Sequence, residues 1–451
     1  MVENSTKNRD DEEQVEVSRQ PSMDPHQKTP AKRETKTGLL QALGPGLITG
    51  ASDDDPSGIA TYSQVGAQFG YGMLWVMLFS YPLMCAIQEI SGQIGRVTGR
   101  GIAGNLRKFY HPVFLYAIVF LVLVANVINI GADIGAMGSA VNLLVGGPVL
   151  VYASLFALAS VGLEIFLPYD KYSNVLRWLC MALFAYVATV FAVHVPWGAA
   201  LKSTVIPSLQ WNATAITSIV AVLGTTISPY LFFWQASEEV EIERASPEEQ
   251  PLRKAPNQAD KELHRIRVDT YIGMAFSNIV AFFIILTTAV TLHAHGLTDI
   301  NTSTQAAEAL KPIAGKFAFL LFAMGIIGTG LLALPVLAGS AAYAVGEALH
   351  WKVGLSSRPR KAWRFYAVIA VGTAVGLLLN FLHISPIKAL FWSAVINGVV
   401  AVPIMILMML MTQNPQVMEQ FTISRGQKFW GWLATAAMGA AAIALFATWG
   451  K

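Results

Sequence analysis

Long apolar runs separated by short polar stretches make up the chain from residue 38 onward. About eleven of them are long enough to cross a hydrocarbon core of about 30 Å, which takes about 20 helical residues. Because backbone groups in lipid must pair within their own segment, the pattern predicts an all-α polytopic membrane protein. The predicted spans are 38–66, 71–95, 112–144, 148–168, 175–195, 214–238, 267–293, 315–347, 363–382, 386–412 and 428–449.

Composition supports this class and removes several others. Hydrophobic residues make up 54% of the chain and charged residues 13%, against about 25% charged residues in soluble domains. Residues 1–37 are polar and mixed in charge, so we expect a disordered cytoplasmic tail. Both cysteines, Cys85 and Cys180, lie in apolar runs, so neither a disulfide framework nor a cysteine metal site is expected. No cofactor is expected either.

Basic residues alternate between the two sides of the predicted topology. All but five of the 31 Lys and Arg residues fall on the side that also holds the amino terminus. Cytoplasmic segments of membrane proteins carry such an excess. The sequence therefore predicts a plasma (inner) membrane protein with its amino terminus in the cytoplasm. An odd number of spans places its carboxyl terminus outside.

The longest polar interruption after the tail runs from Glu238 to Arg267 and begins with the acidic sequence EEVEIE. We interpret it as a solvated cytoplasmic loop. It is also a surface that a cytoplasmic protein partner would contact if the chain were a membrane sensor.

Three consecutive carboxylates interrupt span one, where Asp53, Asp54 and Asp55 precede Pro56. Ionisable groups inside a membrane are costly and usually mark an ion or substrate pathway. A proline also removes a backbone donor and clashes with the preceding turn. We therefore predict that span one is broken here beside a binding site.

Span six holds a similar break at Ser228-Pro229, five spans later. Transporters built from inverted repeats place their sites where corresponding helices are interrupted. The spacing predicts a ten-helix core, 38–412, of two five-helix repeats, 38–195 and 214–412, plus one extra helix, 428–449. Carbonyls freed beside a carboxylate offer oxygen ligands to a hard or borderline divalent cation.

The sequence GPGLITGASDDDPSGIATYSQVGAQFGY resembles the first helix of the Nramp family of divalent-metal transporters. Weaker similarity continues through IGRVTGRGIAGNLRKF, IGADIGAMGSAVNLL and the Pro-Tyr break of span six, and covers residues 38 to about 412. The resemblance implies a leucine-transporter-like fold. It also implies a metal site between the unwound middles of spans one and six, with alternating access around it.

By position, the resemblance implies that Asp55 and the carbonyl of Thr225 bind the metal. The chain has Gly58 where the family has Asn, and Ser228 where the family has a Met whose thioether favours manganese and iron. Oxygen donors from Asp55, Thr225 and Ser228, with Asp54 as a further candidate, give no basis for excluding magnesium. Gly58 enlarges the site.

Proton-coupled members of the family carry an acidic pair in span three and a His after the span-six break. The matching positions here are Asn129, Ala132 and Gln235. Asp133 is adjacent and is either a shifted substitute or a polar residue hydrogen-bonded inside the bundle. These departures are similar to the Nramp-related magnesium transporter branch.

Further residues are candidates near the path. Pro56 and Pro229 are expected to hold the two helices open, and Tyr230 to line the break. Asn397 in span ten is expected either to hydrogen-bond to a neighbouring helix or to contact the ion.

These residues predict a transporter that imports Mg²⁺, tolerates Mn²⁺ and is not proton-coupled; its partners are the ion and the bilayer, without nucleic acid. The alternative is a proton-coupled Mn²⁺ or Fe²⁺ transporter in which Asp133 couples. A sodium-coupled carrier of an organic solute and a membrane sensor are more distant alternatives. An enzyme is least expected, because Ser, His and Cys residues do not cluster.

Overall fold

Helices account for nearly all of the regular structure in the computed structural model of the protein. The described residues are 50, 52–166, 181–208, 211–246, 248–355, 359–382 and 384–449. The predicted disordered tail and the beginning of span one lie outside them.

The fourteen longer helices are numbered in chain order. They are α1 Pro56–Phe69, α2 Leu74–Thr98, α3 Ile102–Phe109, α4 Pro112–Val145, α5 Val149–Phe166, α6 Phe184–Ala192, α7 Trp197–Val205, α8 Ala213–Thr226, α9 Pro229–Ala245, α10 Ala259–Thr291, α11 Ala318–Ala348, α12 Trp363–Leu379, α13 Pro386–Gln413 and α14 Arg425–Thr448.

Local sequence accounts for several helix ends. Four of these helices begin with a proline, whose missing N–H would have no partner in the first turn anyway. Helix α14 begins after Ser424, which forms a capping box with Gln427. Helix α2 ends at Gly99, where φ is 64°, a backbone conformation that other residues adopt only at a cost.

Nine segments of the described residues are long and apolar enough to cross a membrane. They correspond to ten of the eleven predicted spans, because α1 and α2 follow each other through a single turn at Gly70–Met73, and span one is represented only from Pro56 onward. Span five is described only from Met181. The all-α membrane architecture is confirmed.

The predicted loop from Glu238 to Arg267 is mostly helical. Helix α9 continues to Ala245 and α10 begins at Ala259, so only residues 246 to 258 connect the two spans. The EEVEIE segment has neither Gly nor Pro and remains helical until Ser246, which precedes a proline in the sequence. The prediction of a long solvated loop is wrong for this reason.

Residues predicted on the same side of the membrane meet in the structure. We call the side that carries residues 99–101, 248–258 and 349–355 the loop side. Here Glu347 accepts hydrogen bonds from the backbone N–H groups of Gly101 and Gly104, at 2.8 and 2.9 Å. On the opposite side, Ser385 donates to the carbonyl of Asn301 at 2.9 Å. The predicted alternation of spans therefore agrees with these contacts.

The helix that follows each break packs against a helix of the other repeat. Helix α1, which follows the first break, packs against α10, and α9, which follows the second break, packs against α2. Helix α4 crosses the middle of the bundle and contacts α11, α12 and α13. Helix α14 packs outside this core, on α2, α8 and α13. The arrangement is that of a leucine-transporter-like fold with one additional helix.

Candidate functional site

The first break lies where span one was predicted to be interrupted. The chain is helical at Ser52 and Asp53, bends at Asp54 and is extended at Asp55, where ψ is 171°. Helix α1 then begins at Pro56. Asp55 caps it, because its Oδ1 accepts the Gly58 N–H at 2.8 Å.

The second break separates α8 from α9 at Ile227 and Ser228. Ser228 is extended, with φ −80° and ψ 131°. Its hydroxyl donates to the carbonyls of Gly224 and Thr225, at 2.9 and 2.8 Å. Pro229 removes the donor that a continuous helix would offer there, so the serine side chain replaces part of the lost backbone hydrogen bonding.

Tyr230 joins the two breaks. Its hydroxyl lies 3.1 Å from the carbonyl oxygen of Ser52 and 3.4 Å from Oδ2 of Asp55. Gly58 and Thr225 also meet, since a Cβ on Gly58 would lie 3.1 Å from Thr225 Oγ1. The structure therefore brings together most residues that the sequence singled out in spans one and six.

Helix α4 supplies a third side of the site. Asn129 Nδ2 donates to Asp55 Oδ2 at 2.9 Å. Asp133 lies one turn further along α4 and is fully buried, and neither of its carboxylate oxygens has a hydrogen-bond partner among the described residues. A structural role through hydrogen bonds inside the bundle is therefore not seen for Asp133.

Asp53 and Asp54 face helix α10. The hydroxyl of Ser277 lies 2.6 Å from Asp53 Oδ2 and 3.2 Å from Asp54 Oδ1. The second oxygen of each carboxylate has no partner among the described residues. No local sequence signal points to Ser277, because this contact depends on how α10 packs against the first break.

The remaining candidates lie on helices α9 and α13. Gln235 is buried against α2, where a Cβ on Gly92 would lie 3.3 Å from its Nε2. Asn397 is 1% exposed, and neither its amide oxygen nor its nitrogen has a partner within the described ranges. A hydrogen bond from Asn397 to a neighbouring helix, one of the two expected roles, is therefore not found.

The site is closed and acidic in this conformation. Asp55, Thr225 and Ser228 are each 1% exposed. No ion pair between described residues involves Asp55 or Asp133. No three His, Cys, Asp or Glu side chains in the described part of the chain are grouped to hold a metal. Neutral oxygen atoms would therefore have to supply most of the ligands of a cation here.

Sequence comparisons identify the relatives of the chain. Residues 46–448 match the profile of the Nramp family, described as natural resistance-associated macrophage protein-like. The "Divalent metal cation transporter MntH" of Klebsiella pneumoniae (strain 342) is 25% identical over 411 residues, which cover 90% of this chain and 94% of the relative. MntH of Verminephrobacter eiseniae is 25% identical over 380 residues, covering 80% and 82%.

Solved structures share the fold at low sequence identity. A mutant of the Eremococcus coleocola manganese transporter is 17% identical, with a TM-score of 0.69 over 92% of this chain and 88% of the other. MhsT in complex with L-phenylalanine is 15% identical, with a TM-score of 0.57 over 89% and 98%. The profile match covers nearly all of the described structure, including both helix breaks, and so the chain belongs to the Nramp family.

Proposed function

We propose that the protein carries divalent metal cations across the membrane by alternating access, with the ion bound between the two helix breaks. The observation that carries the proposal is Asp55, a buried carboxylate with one oxygen left facing the second break. Relatives named divalent metal cation transporters support the substrate class.

The proposed ion occupies the space between Asp55 Oδ2, the Thr225 carbonyl and the Ser228 hydroxyl. Asp55 Oδ1 is engaged at the start of α1, so Oδ2, which also accepts the Asn129 amide at 2.9 Å, is the proposed charged ligand. Tyr230 makes only a long contact of 3.4 Å to this oxygen, so an ion can displace it. Water and Asp54 are the remaining candidate ligands.

We further propose that Mg²⁺ is accepted together with Mn²⁺. The donors nearest the two breaks are oxygen atoms, which suit hard cations. The prediction that Gly58 enlarges the site is not borne out in this closed conformation, because a Cβ there would lie only 3.1 Å from Thr225 Oγ1 and 3.3 Å from Tyr62 Cε2. Mg²⁺ usually keeps several waters when bound.

The proposed orientation places the loop side in the cytoplasm, because that side carries most of the basic residues. An inside-negative potential then drives uptake. For a doubly charged ion it supplies about 4.6 kcal/mol per 100 mV, at about 2.3 kcal/mol for each charge. This driving force does not require protons.

Proton-coupled Mn²⁺ transport is the second candidate, and Asp133 favours it. Asp133 is a buried carboxylate without a hydrogen-bond partner among the described residues, and it shares the face of α4 with Asn129. It is therefore the group in α4 best placed to carry a proton beside the ion.

The central test measures Mn²⁺ and Mg²⁺ uptake into proteoliposomes with the variant Asp55→Asn. Asparagine keeps an oxygen that caps α1 but loses the charge, so the fold is retained while ion uptake falls to the level of protein-free liposomes. Asp260→Asn, an exposed residue on the loop side, is the matched control and retains wild-type uptake. Normal uptake by Asp55→Asn contradicts the proposed site.

Two further measurements in the same assay separate the finer points. Mg²⁺ in excess suppresses Mn²⁺ uptake if both ions share the site; no suppression removes the magnesium proposal and leaves divalent-cation transport standing. A pH dye inside the liposomes reports no acidification during Mn²⁺ uptake. Acidification that disappears in Asp133→Asn favours the proton-coupled candidate instead.

A further inference from the structure

An apolar groove of about 650 Å³ runs along the outside of the bundle between α4 and α12. The residues that line it include Val124 on α4 and Val368, Val371, Val375 and Leu379 on α12. Val371 is 62% exposed. Because α4 and α12 cross the membrane, this surface faces lipid, and hydrocarbon chains fill it rather than water.

The groove is long enough for a whole acyl chain of one leaflet. It extends along α12 from Arg364 to Leu379, a distance of about 22 Å at 1.5 Å per residue. One leaflet contributes about half of the roughly 30 Å hydrocarbon core. Gly372 forms a recess midway, since a Cβ there would meet nothing closer than Val127 Cγ2 at 3.8 Å.

The polar end of the groove is formed by Arg364, one residue after α12 begins on the loop side. Its guanidinium lies 5.5 Å from the ring centroids of both Trp351 and Trp363. These rings hold the cation in place by cation–π contact, and tryptophans of this kind mark the membrane interface.

Among the described residues, the guanidinium of Arg364 has no anionic partner. No salt bridge or hydrogen bond connects it to any described residue. A guanidinium has five N–H donors in a planar fork that matches a phosphate group. An apolar groove that ends in such an unpaired cation at the membrane edge is complementary to a lipid with a phosphate headgroup.

We propose that this groove binds an anionic phospholipid, with one acyl chain along α12 and the phosphate on Arg364. The neighbouring residues Arg360 and Lys361 are exposed on the same side and add positive charge. They favour a headgroup with net negative charge over a zwitterionic one. The site is independent of the transported ion, and the lipid connects α4, which carries Asn129, to α12.

The test uses the purified full-length chain, stripped of lipid and mixed with phosphatidylglycerol or phosphatidylcholine of identical acyl chains, and counts bound lipids by native mass spectrometry. We expect the wild-type chain to retain one phosphatidylglycerol at concentrations where phosphatidylcholine is lost. Arg364→Gln removes this preference, with at least a tenfold weaker retention of phosphatidylglycerol. Gly372→Leu fills the recess and weakens retention of both lipids.

Matched controls identify the cause. Lys261→Gln makes the same charge change on α10, which does not line the groove, and keeps the preference. Gly162→Leu makes the same size change on α5, where a Cβ would meet nothing within 4 Å, and keeps retention of both lipids. Gel filtration shows whether each variant is folded. If Gly372→Leu does not fold, Arg364→Gln decides the outcome, because it changes an exposed position.

Three results overturn the proposal. The first is equal retention of the two lipids by the wild-type chain, which indicates an unspecific annulus. The second is an unchanged preference in Arg364→Gln. The third is displacement of phosphatidylglycerol by inorganic phosphate at millimolar concentration, which indicates a site for free phosphate rather than for a lipid.

Discussion

At the scale of single residues, the two carboxylate oxygens of Asp55 have different partners. Oδ1 accepts the Ser57 hydroxyl at 2.6 Å and the Gly58 N–H at 2.8 Å, and so it holds the start of α1. Oδ2 is directed toward Asn129 and Tyr230 on other helices. The helix cap already orders the Asp55 side chain. Binding of the proposed ion to the other oxygen therefore costs little further side-chain conformational entropy.

Ser228 is the residue at which we expect ion selectivity to change. Ser228→Met places a thioether beside Asp55, and soft sulfur ligands favour Mn²⁺ and Cd²⁺ over Mg²⁺. Competition assays on Mn²⁺ uptake then show weaker inhibition by Mg²⁺, about tenfold or more. Ser218→Met, on α8 but two turns before the break, is the control and leaves the inhibition unchanged. An equal effect of both variants indicates a packing defect instead.

Single residues divide into those that sequence predicts and those that it does not. Asp55 and Pro229 stand out because a charge or a proline inside an apolar run is costly and is rarely kept without a functional role. Asn129 is found only through the family resemblance and Ser277 not at all, since their partners lie 74 and 224 positions away in the chain. Nothing local in α4 or α10 encodes which face will meet the first break. Only the packing of the helices decides it.

At the scale of helices, α8 and α13 touch backbone to backbone beside the site. A Cβ on Gly224 would lie 2.1 Å from the carbonyl oxygen of Ala394, and one on Gly398 would lie 2.6 Å from that of Val220. Such an approach requires glycine on both helices. It positions Thr225, which follows the first of these glycines in the sequence.

We therefore expect Gly224→Ala to destabilise the protein by about 1–3 kcal/mol, because the two backbones must separate to admit the methyl group. Thermal unfolding in detergent measures the change. Gly162→Ala, on α5 in open space, is the matched control and is neutral or stabilising by up to about 1 kcal/mol, since alanine favours helix. A neutral Gly224→Ala variant shows that α8 and α13 can slide apart freely.

The ends of helices are predictable from the sequence where they coincide with the end of an apolar stretch or with a proline. Both breaks and the spans from α4 to α14 follow from apolar length and proline positions. The continuation of α9 to Ala245 and the start of α10 at Ala259 do not, because these turns are polar and lie beyond the apolar stretch. Helix propensity and interactions such as Arg265 with Glu239, rather than hydropathy, keep them folded.

At the scale of the whole molecule, we expect ionic interactions on the loop side to close one entrance to the site. Glu89 on α2 forms an ion pair with Arg267 on α10 at 2.9 Å and accepts a hydrogen bond from Gln427 on α14 at 3.0 Å. Arg96, whose side chain has no exposed surface, lies 2.9 Å from Glu249. The path from the site to the loop side must disrupt these contacts in order to open.

The variant Glu89→Gln weakens this closure and increases the fraction of molecules open to the loop side. A cysteine at Ser277, introduced with Cys85 and Cys180 replaced, then reacts several-fold faster with a membrane-impermeant maleimide. Lys311→Gln removes an exposed ion pair with Glu308 on the opposite side and leaves the rate unchanged. Equal rates in the two variants show that the Glu89 contacts do not keep the loop side closed.

The sidedness of the fold was predictable because basic residues are excluded from one side during insertion, and the contacts on each side agree with it. The closed state of the site was not predictable. Two packings of the same helices, one with the site closed and one with it open, differ by only a few kcal/mol in free energy. Sequence patterns do not distinguish these packings.

The hydrogen bond from Asn129 to Asp55 is expected to matter most when no ion is bound. We expect Asn129→Ala to slow net uptake of Mn²⁺ at least threefold, yet to spare the exchange of isotope when Mn²⁺ saturates both sides of the vesicle. Counter-transport of labelled against unlabelled Mn²⁺ provides the comparison. Equal loss of both rates shows instead that the amide acts on the loaded protein.

Four groups donate toward Asp55 from within the protein: the Ser57 hydroxyl, the Gly58 N–H, the Asn129 amide and the Tyr230 hydroxyl. A buried carboxylate without hydrogen-bond donors is costly. After the ion is released, this cost would oppose the conformational change that returns the empty protein to its starting state. With these donors in place, we expect the protein to change conformation without a bound ion. This feature distinguishes a transporter capable of net ion uptake from one limited to the exchange of one ion for another.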